Sequence, residues 1–282
     1  MKASPSPSSA APAAIELARR HRPNALLWAS LAVHGGAVTL LLLQPKLWLW
    51  ALLALLANHL LLAGAGLLPR CQLLGSNWTR LPAAAAARGE IALTIDDGPD
   101  PLVTPAVLAL LDQHGAKATF FCVGKQAALY PDLCRDIVQR GHAIENHSQQ
   151  HRHNFSLLGP AGFRRELEAA QNTLSAITGE APRFFRAPAG LRNPFLEPAL
   201  QRLGLQLTSW TRRAYDTREG DASIVLRKLS AGLGAGDILL LHDRHAALTA
   251  QGTAVILEVL PALLTKLQHA GLKPVTLRQA LL

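Results

Sequence analysis

The sequence predicts an α/β domain built on a parallel sheet or barrel and preceded by a hairpin of two transmembrane helices. Two long apolar runs begin the chain, and short β-rich runs then alternate with helix-patterned stretches. Such alternation is typical of a parallel sheet with helices outside, whose active residues gather at the carboxyl ends of the strands. Seven strand signals carry this prediction, near Ile91, Thr119, Ala143, Phe184, Leu207, Leu239 and Val275.

The N-terminal quarter of the chain predicts a tail followed by a membrane anchor. Residues 1–24 are rich in Ser, Pro and Ala, so we expect a disordered tail. Two apolar runs within residues 25–68, Ala25 to Leu43 and Leu47 to Leu68, approach the ~20 residues that a helix needs to cross a bilayer. A cleaved signal peptide is the alternative for the first run, but no small-x-small site follows it. We therefore expect a multi-pass protein of a bacterial-type inner membrane.

Composition restricts the remaining possibilities. Residues 69–89 predict a linker with an Ala run, and residues 90–282 predict the soluble domain. The net charge of +9 comes from scattered basic residues without a recognition motif, which argues against a nucleic-acid partner. Cys71, Cys122 and Cys134 lack the spacing of a zinc knuckle or a disulfide framework, so we expect three free thiols.

Two short motifs follow predicted strands. Asp96 and Asp97 end the first strand and precede a Gly-Pro turn, an arrangement that turn chemistry alone also explains. His147 and His151 follow the third strand with a spacing of four residues. On a helical turn these histidines share one face and, with one carboxylate, form a catalytic metal site with an open position for water. A solvated polar turn is the alternative for this second motif.

Five motifs in order give a specific resemblance. The two above are followed by Arg186-Ala187-Pro188-Ala189-Gly190, by the segment Trp210 to Asp216 and by Leu239 to Asp243. From Glu90 onward the chain resembles the polysaccharide deacetylase, or NodB homology, family. The resemblance implies a distorted (β/α)7 barrel and a metal-dependent hydrolase that removes an acetyl group from an N-acetylated amino sugar.

The resemblance also implies individual roles. Asp96 would be the general base, and Asp97, His147 and His151 would bind a divalent metal, for which zinc is the expectation. His242 would be the general acid that protonates the departing amine, without which an amide has a poor leaving group.

Further roles concern the surroundings of these groups. Asp216 would orient the acid histidine, and Arg186 would hold the base carboxylate. The backbone N–H of Ala189 would donate to the developing oxyanion, and Trp210 and Arg213 would contact the substrate.

Two of these positions depart from the family pattern. Ala189 stands where an aromatic residue is common, and Arg213 stands near the position of an additional acid. We therefore expect an altered groove that favours an anionic or phosphate-bearing group near Arg212 or Arg213.

The membrane face follows from charge. Basic residues flank the hairpin at its two outer ends, whereas the turn carries only Lys46. The positive-inside rule puts both ends in the cytosol, although family members that trim peptidoglycan, chitin or exported polysaccharide act outside it. The outer basic residues are Lys2, Arg19, Arg20, Arg22, Arg70, Arg80 and Arg88.

The predicted function is removal of an N-acetyl group from an amino sugar in a polysaccharide or glycolipid precursor. A cytosolic face favours a lipid-linked precursor, so one alternative is a deformylase or deacylase acting on a polyprenol-linked amino sugar. The other alternative is a non-catalytic, membrane-tethered sugar-binding protein. That last class would have damaged motifs, and the motif positions here are intact.

Overall fold

The computed structural model describes residues 24–282, so the tail expected at residues 1–24 lies outside the described residues apart from Asn24. Helix α1 spans Ala25–Leu43 and begins where the Asn24 side chain accepts hydrogen bonds from two backbone N–H groups. A short 3₁₀ turn joins it to α2, Trp48–Leu67. Both helices are long and apolar enough to cross a membrane, and most of their side chains are exposed.

Polar groups inside the hairpin pair with each other. The Asn58 side chain donates a hydrogen bond of 2.9 Å to the Ser30 hydroxyl across the two helices. The His34 and His59 rings lie 5.3 Å apart in the same region. An unpaired polar group is costly in apolar surroundings, and the hydrogen bond between Asn58 and Ser30 satisfies part of this requirement within the hairpin.

The rest of the chain forms one curled parallel sheet covered by helices, as the sequence predicts. The sheet has eight strands in the order β5-β4-β3-β2-β1-β7-β6, with β8 paired to the start of β1. The strands are β1 Glu90–Asp96, β2 Thr119–Cys122, β3 Ala143–Asn146, β4 Phe184–Phe185, β5 Gln206–Leu207, β6 Arg212–Arg213, β7 Ile238–His242 and β8 Lys273–Val275. The remaining helices are α3 Ala83–Ala87, α4 Thr104–Gln113, α5 Gly124–Leu129, α6 Pro131–Gln139, α7 Pro160–Thr178, α8 Leu196–Leu203, α9 Ala222–Ser230 and α10 Val255–His269.

The two faces of β1 have different partners. Ile91, Leu93 and Ile95 pack into the main core, which also contains buried residues of α4 and α10. Ala92 lies in a separate interior cluster with Phe121. Because side chains alternate along a strand, Thr94 and Asp96 share the face of Ala92 and point into the curl of the sheet.

Residues expected as a linker also hydrogen-bond to the sheet. The Trp78 backbone N–H donates to the Leu207 carbonyl at 2.9 Å, on the β5 edge. The Leu81 backbone N–H donates to the Gly236 carbonyl at 2.8 Å, just before β7. Leu81 itself is buried. Residues 78–81 therefore bridge the two sides of the open sheet, which gives the curl its barrel-like closure.

Candidate active site

The register of the central strands places two predicted site residues side by side. Asp96 of β1 pairs with His242 of β7, and both end their strands. Because the sheet is parallel, the loops after β1, β3, β4 and β7 leave it at the same edge. The motif residues that follow these strands are thereby brought together.

Arg186 is fully buried and holds Asp96. Its Nη1 donates to Asp96 Oδ1 and to Thr94 Oγ1, both at 2.7 Å. Its Nη2 and Nε donate to the backbone carbonyls of Ser209 and Thr208. The guanidinium therefore has protein partners for each nitrogen and fixes one oxygen of the Asp96 carboxylate.

Three side chains form a cluster suited to a metal ion. The potential ligand atoms of Asp97, His147 and His151 all lie within 4.8 Å of one another. Asp97 Oδ1 is 3.2 Å from His147 Nε2 and 3.1 Å from His151 Nε2. His147 Nδ1 lies 2.8 Å from the Arg186 carbonyl oxygen. A carbonyl only accepts, so the proton sits on Nδ1 and the Nε2 lone pair faces the cluster. This donor set fits a divalent metal such as zinc.

The charge of Asp97 fits the same interpretation. Burial raises the pKa of Asp97, but its contacts with the imidazoles of His147, His151 and His245 outweigh burial and hold that pKa well below its usual range. The carboxyl group is therefore ionised at neutral pH and offers an anionic oxygen to a cation.

His242, the neighbour of Asp96 across the sheet, contacts the buried carboxylate of Asp216. Asp216 Oδ1 lies 2.8 Å from His242 Nδ1, and Asp216 Oδ2 accepts the His242 backbone N–H at 2.7 Å. Burial lowers the pKa of His242, yet the hydrogen bond and negative charge of Asp216 dominate and raise that pKa above its ordinary value. The imidazole is thus held in one orientation with Nδ1 protonated.

Unusual backbone conformations mark these loops. Among the described residues, six non-glycine positions have positive φ, and all lie in or beside the motifs: Asp97, Ser148, His151, Ala189, Tyr215 and His245. Each such residue costs on the order of 1–3 kcal/mol and persists only where the surroundings determine it. Their concentration here indicates that the loops are shaped for the site.

Asp243 explains the glycine of the first motif. A Cβ at Gly98 would lie 2.4 Å from Asp243 Oδ2, so the loop after β1 tolerates no side chain there. Burial raises the pKa of Asp243 to about 7, against hydrogen bonds from the Thr104 hydroxyl and the Arg244 backbone N–H. Asp243 thus links the β7 end to α4 behind the site.

The remaining predicted residues lie at the rim. Ala189 is exposed in the 3₁₀ turn Pro188–Gly190, which follows Arg186 after β4. Trp210 is buried, with its ring 6.0 Å from the Arg186 guanidinium. The Arg213 guanidinium lies between the rings of Trp210 and Tyr215, at 5.1 Å and 4.9 Å.

Arg212 does not fit the expectation of an anion-binding residue. Its Nε lies 2.5 Å from Asp237 Oδ2, and its other nitrogens donate to the carbonyls of Ala231 and Gly232. These groups occupy the guanidinium, which therefore anchors the start of β7. Arg213 is left as the candidate for an anion.

One residue that lies beside the cluster of potential metal ligands was not predicted from the sequence. His245 Nδ1 lies 3.4 Å from Asp97 Oδ2, whereas the other two histidines contact Asp97 Oδ1. Only its position three residues after His242 distinguishes it in the sequence, and a single exposed histidine in a loop has no periodic signal.

Several known proteins are similar to this chain in sequence. The model of the polysaccharide deacetylase family matches residues 84–208. The chain is 30% identical over 181 residues to the peptidoglycan-N-acetylglucosamine deacetylase of Bacillus cereus, covering 64% of this chain and 65% of the relative. It is 34% identical over 157 residues to the chitooligosaccharide deacetylase of Azorhizobium caulinodans, covering 55% of this chain and 74% of the relative.

A solved structure has a fold similar to that of this chain. The family 4 carbohydrate esterase from Streptomyces lividans in complex with acetate matches with a TM-score of 0.60 and 31% identity, covering 66% of this chain and 91% of the esterase. The chain spans slightly less than two thirds of the Bacillus cereus relative, so similarity there is confined to part of that protein. With the motif order, the sheet and these matches in agreement, the chain belongs to the polysaccharide deacetylase family, carbohydrate esterase family 4.

Proposed function

We propose that this protein is a metal-dependent hydrolase that removes the N-acetyl group from an amino sugar. The observation that carries the proposal is the arrangement of three groups at one sheet edge. The cluster of Asp97, His147 and His151 lies beside Asp96, and Asp96 is the strand partner of His242. An anionic base, a metal site and an imidazole acid are the groups that amide hydrolysis needs.

Asp96 has the geometry of the general base. Arg186 fixes Oδ1, while Oδ2 lies 4.0 Å from His147 Nε2 and faces the cluster. A water attacking the amide carbonyl beside the cluster would give its proton to Oδ2. The same arginine that orients the carboxylate also stabilises its charge before the transfer.

His242 has the geometry of the general acid. Asp216 accepts a hydrogen bond from Nδ1–H, so in the imidazolium form the second proton is on Nε2. Because Asp216 raises the pKa of His242, that form persists to higher pH. His242 would donate this proton to the departing amine, and Asp216 would keep the ring aimed at it.

Asp97, His147 and His151 would hold the metal, with zinc the expected ion. When bound, the metal supplies a Lewis acid that polarises the amide carbonyl. The exposed turn at Ala189 would donate its backbone N–H to the same oxygen as negative charge develops. Trp210 and Arg213 would line the substrate groove.

The substrate class follows from the relatives and from the anchor. The similar proteins are deacetylases of peptidoglycan N-acetylglucosamine and of chitooligosaccharides, which supports an N-acetylated amino sugar. The apolar hairpin and the basic residues at its outer ends support a multi-pass inner-membrane protein with a cytosolic domain. That face favours a polyprenol-linked amino sugar, with acetyl or formyl as the group removed.

Acyl release tests the proposed chemistry. The full chain in detergent, with zinc, is expected to release acetate from N-acetylated chitooligosaccharides or from a lipid-linked N-acetylated sugar, and a formylated sugar would reveal a deformylase. Asp96→Asn and His242→Gln should abolish release, whereas His153→Gln, an exposed histidine outside the cluster, should not. Folded, zinc-loaded protein that releases nothing from any of these substrates would favour the sugar-binding alternative.

A reporter tests the membrane face separately. Alkaline phosphatase fused after Leu282 should be inactive, and a fluorescent protein fused there should be bright. An active phosphatase would overturn the cytosolic assignment and favour a polymer outside the cell.

A further inference from the structure

The end of the second apolar helix is docked on the rim of the active site. The Gly66 carbonyl accepts the Arg192 backbone N–H at 3.1 Å, and a Cβ at Gly66 would lie 2.2 Å from the Arg192 carbonyl oxygen. The Pro69 carbonyl accepts the Ser209 hydroxyl at 2.6 Å. The Arg192 guanidinium donates to the Cys71 carbonyl. The anchor therefore touches both the loop after Ala189 and the segment that leads to Trp210.

A groove lies between these two parts of the molecule. Its volume is about 530 Å³, within the range of small-molecule sites. One wall belongs to the end of the anchor, and the other belongs to the atypical fourth motif. The lining residues are Leu68, Pro69, Arg70, Cys71, Trp210, Thr211, Arg213 and Tyr215.

The groove carries positive charge without a protein counterion. Neither Arg70 nor Arg213 forms an ion pair with a carboxylate of residues 24–282. Within the described part of the chain, the Arg70 guanidinium makes one long hydrogen bond, of 3.3 Å from Nη1 to the Thr211 carbonyl. Arg213 is held by the rings of Trp210 and Tyr215, and its buried Nε has no hydrogen-bond partner among the described residues. Two unpaired guanidinium groups in one groove favour an anion.

The groove adjoins the catalytic groups through Trp210, which is one of its lining residues. The Trp210 ring faces Arg213 on the groove side and lies 6.0 Å from the Arg186 guanidinium, which holds Asp96. A substrate bound against Trp210 is thus one side chain away from the residues proposed to act on the amide. An anion in the groove and an acyl group at the metal cluster are compatible with one extended ligand.

We propose that this groove binds the phosphate of a lipid-linked N-acylated amino sugar, with Arg70 and Arg213 as its ligands; this inference rests on the proposed function. The position of the groove decides between a lipid phosphate and a soluble one. Leu68 and Pro69 directly follow a helix that is apolar enough to span a bilayer, so with that helix in a membrane the groove would lie at the depth of the lipid phosphates. The sugar then extends past Trp210 towards the metal cluster while its lipid stays beside the hairpin.

The test compares specificity for two substrates of the full chain in nanodiscs. One is a polyprenyl-phosphate-linked N-acetylglucosamine, and the other is a neutral chitooligosaccharide. The measured quantity is the ratio of kcat/KM for the lipid-linked substrate to that for the neutral one. Arg213→Gln and Arg70→Gln should each lower this ratio about tenfold, because each removes a charge-assisted contact to the phosphate. Arg164→Gln removes an exposed charge on α7 and should leave the ratio unchanged.

A third substrate separates the two sources of phosphate. N-acetylglucosamine 1-phosphate carries the anion without the lipid, and it should be a poorer substrate than the lipid-linked sugar. Equal use of the two would overturn the lipid assignment. An unchanged ratio in both arginine variants would overturn the phosphate site while leaving the hydrolase in place. Wild-type protein that releases acetate from no substrate would instead overturn the proposed function.

Discussion

Arg186 and Asp96 form a buried ion pair, with Nη1 2.7 Å from Oδ1 and side chains only 1% and 4% exposed. Both side chains are buried, so each charge depends on the other for compensation. Burial lowers the pKa of Arg186, and the charge of Asp96 raises it in opposition. The ion pair therefore has two roles: it orients the Asp96 carboxylate, and it stabilises the fold.

Removing Arg186 alone should destabilise the fold. Arg186→Met leaves the Asp96 carboxylate buried without its partner, and we expect the free energy of unfolding to fall by about 3–5 kcal/mol. Chemical denaturation in detergent measures this loss. Arg135→Met, which breaks an exposed pair with Asp132, should cost under about 1 kcal/mol. A loss of that small size in Arg186→Met would contradict the dependence on the pair.

Asp216 should set the alkaline limit of activity. The raised pKa of His242 keeps the acid protonated to higher pH, and activity is lost as pH rises through that pKa. Asp216→Asn removes the negative charge, so the pKa falls and the alkaline limb of kcat/KM moves to lower pH. The rate should fall roughly a hundredfold or more. Glu168→Gln, an exposed acid on α7, is the control; an unmoved alkaline limb in Asp216→Asn would refute the role.

His245 should strengthen metal binding without being a ligand in the predicted set. It reaches the second carboxylate oxygen of Asp97, so its loss frees that carboxylate to rotate. His245→Ala should weaken zinc binding about tenfold, as measured by competition with a chelating dye. His245→Asn keeps a donor and should recover part of the affinity. His153→Ala removes a nearby exposed histidine; equal losses in it and His245→Ala would exclude a specific role.

His142 should make the fold acid-sensitive. Burial lowers the pKa of His142 to about 4, with the charge of Lys117 acting in the same direction. Between pH 6.5 and 4 the unfolded chain binds the proton and the folded chain does not, so stability present above that window is lost as pH falls, by about 3 kcal/mol in total.

An asparagine at this position isolates that contribution. His142 Nδ1 accepts the Ala118 backbone N–H at 3.2 Å, and the side-chain oxygen of His142→Asn offers an acceptor in its place. Unfolding midpoints measured from pH 7 to pH 4 should fall less steeply in this variant. A parallel fall in the wild type and the variant would assign the acid sensitivity elsewhere.

The fold was predictable because apolar strands repeat between amphipathic helices. The structure has a strand at each of the seven predicted signals, including Phe184 and Leu207 in strands of only two residues. The one strand of the sheet without a predicted signal is β6, Arg212–Arg213, which has no apolar pattern because it lies at the sheet edge and is only half-buried. Local sequence also gives no sign that residues 78–81 bridge the sheet, because both of their partners are more than a hundred residues away.

The residues of the candidate site could be predicted where they belong to short motifs of adjacent or closely spaced polar residues. Adjacent aspartates after a strand and two histidines four residues apart predict a cluster, and the structure brings Asp97, His147 and His151 together. A helical turn is not what brings the two histidines together, since His151 has positive φ in an irregular loop. Arg212 and Arg213 are alike in sequence, but Arg212 pairs with Asp237 and the carbonyls of Ala231 and Gly232, whereas Arg213 lies against two aromatic rings.

Residues 66–81 join the second apolar helix to the catalytic domain through many contacts, so this domain cannot simply be transferred to another membrane anchor. A cut just before Glu90 would remove the residues that bridge the sheet, together with the wall formed by Leu68 and Pro69. The released barrel would keep its motifs, but the two sides of its sheet would no longer be bridged and one wall of the groove would be missing. The hairpin end and the barrel therefore form one structural unit. A barrel that begins at Glu90 and is fused to a different membrane helix should be less active than the natural protein.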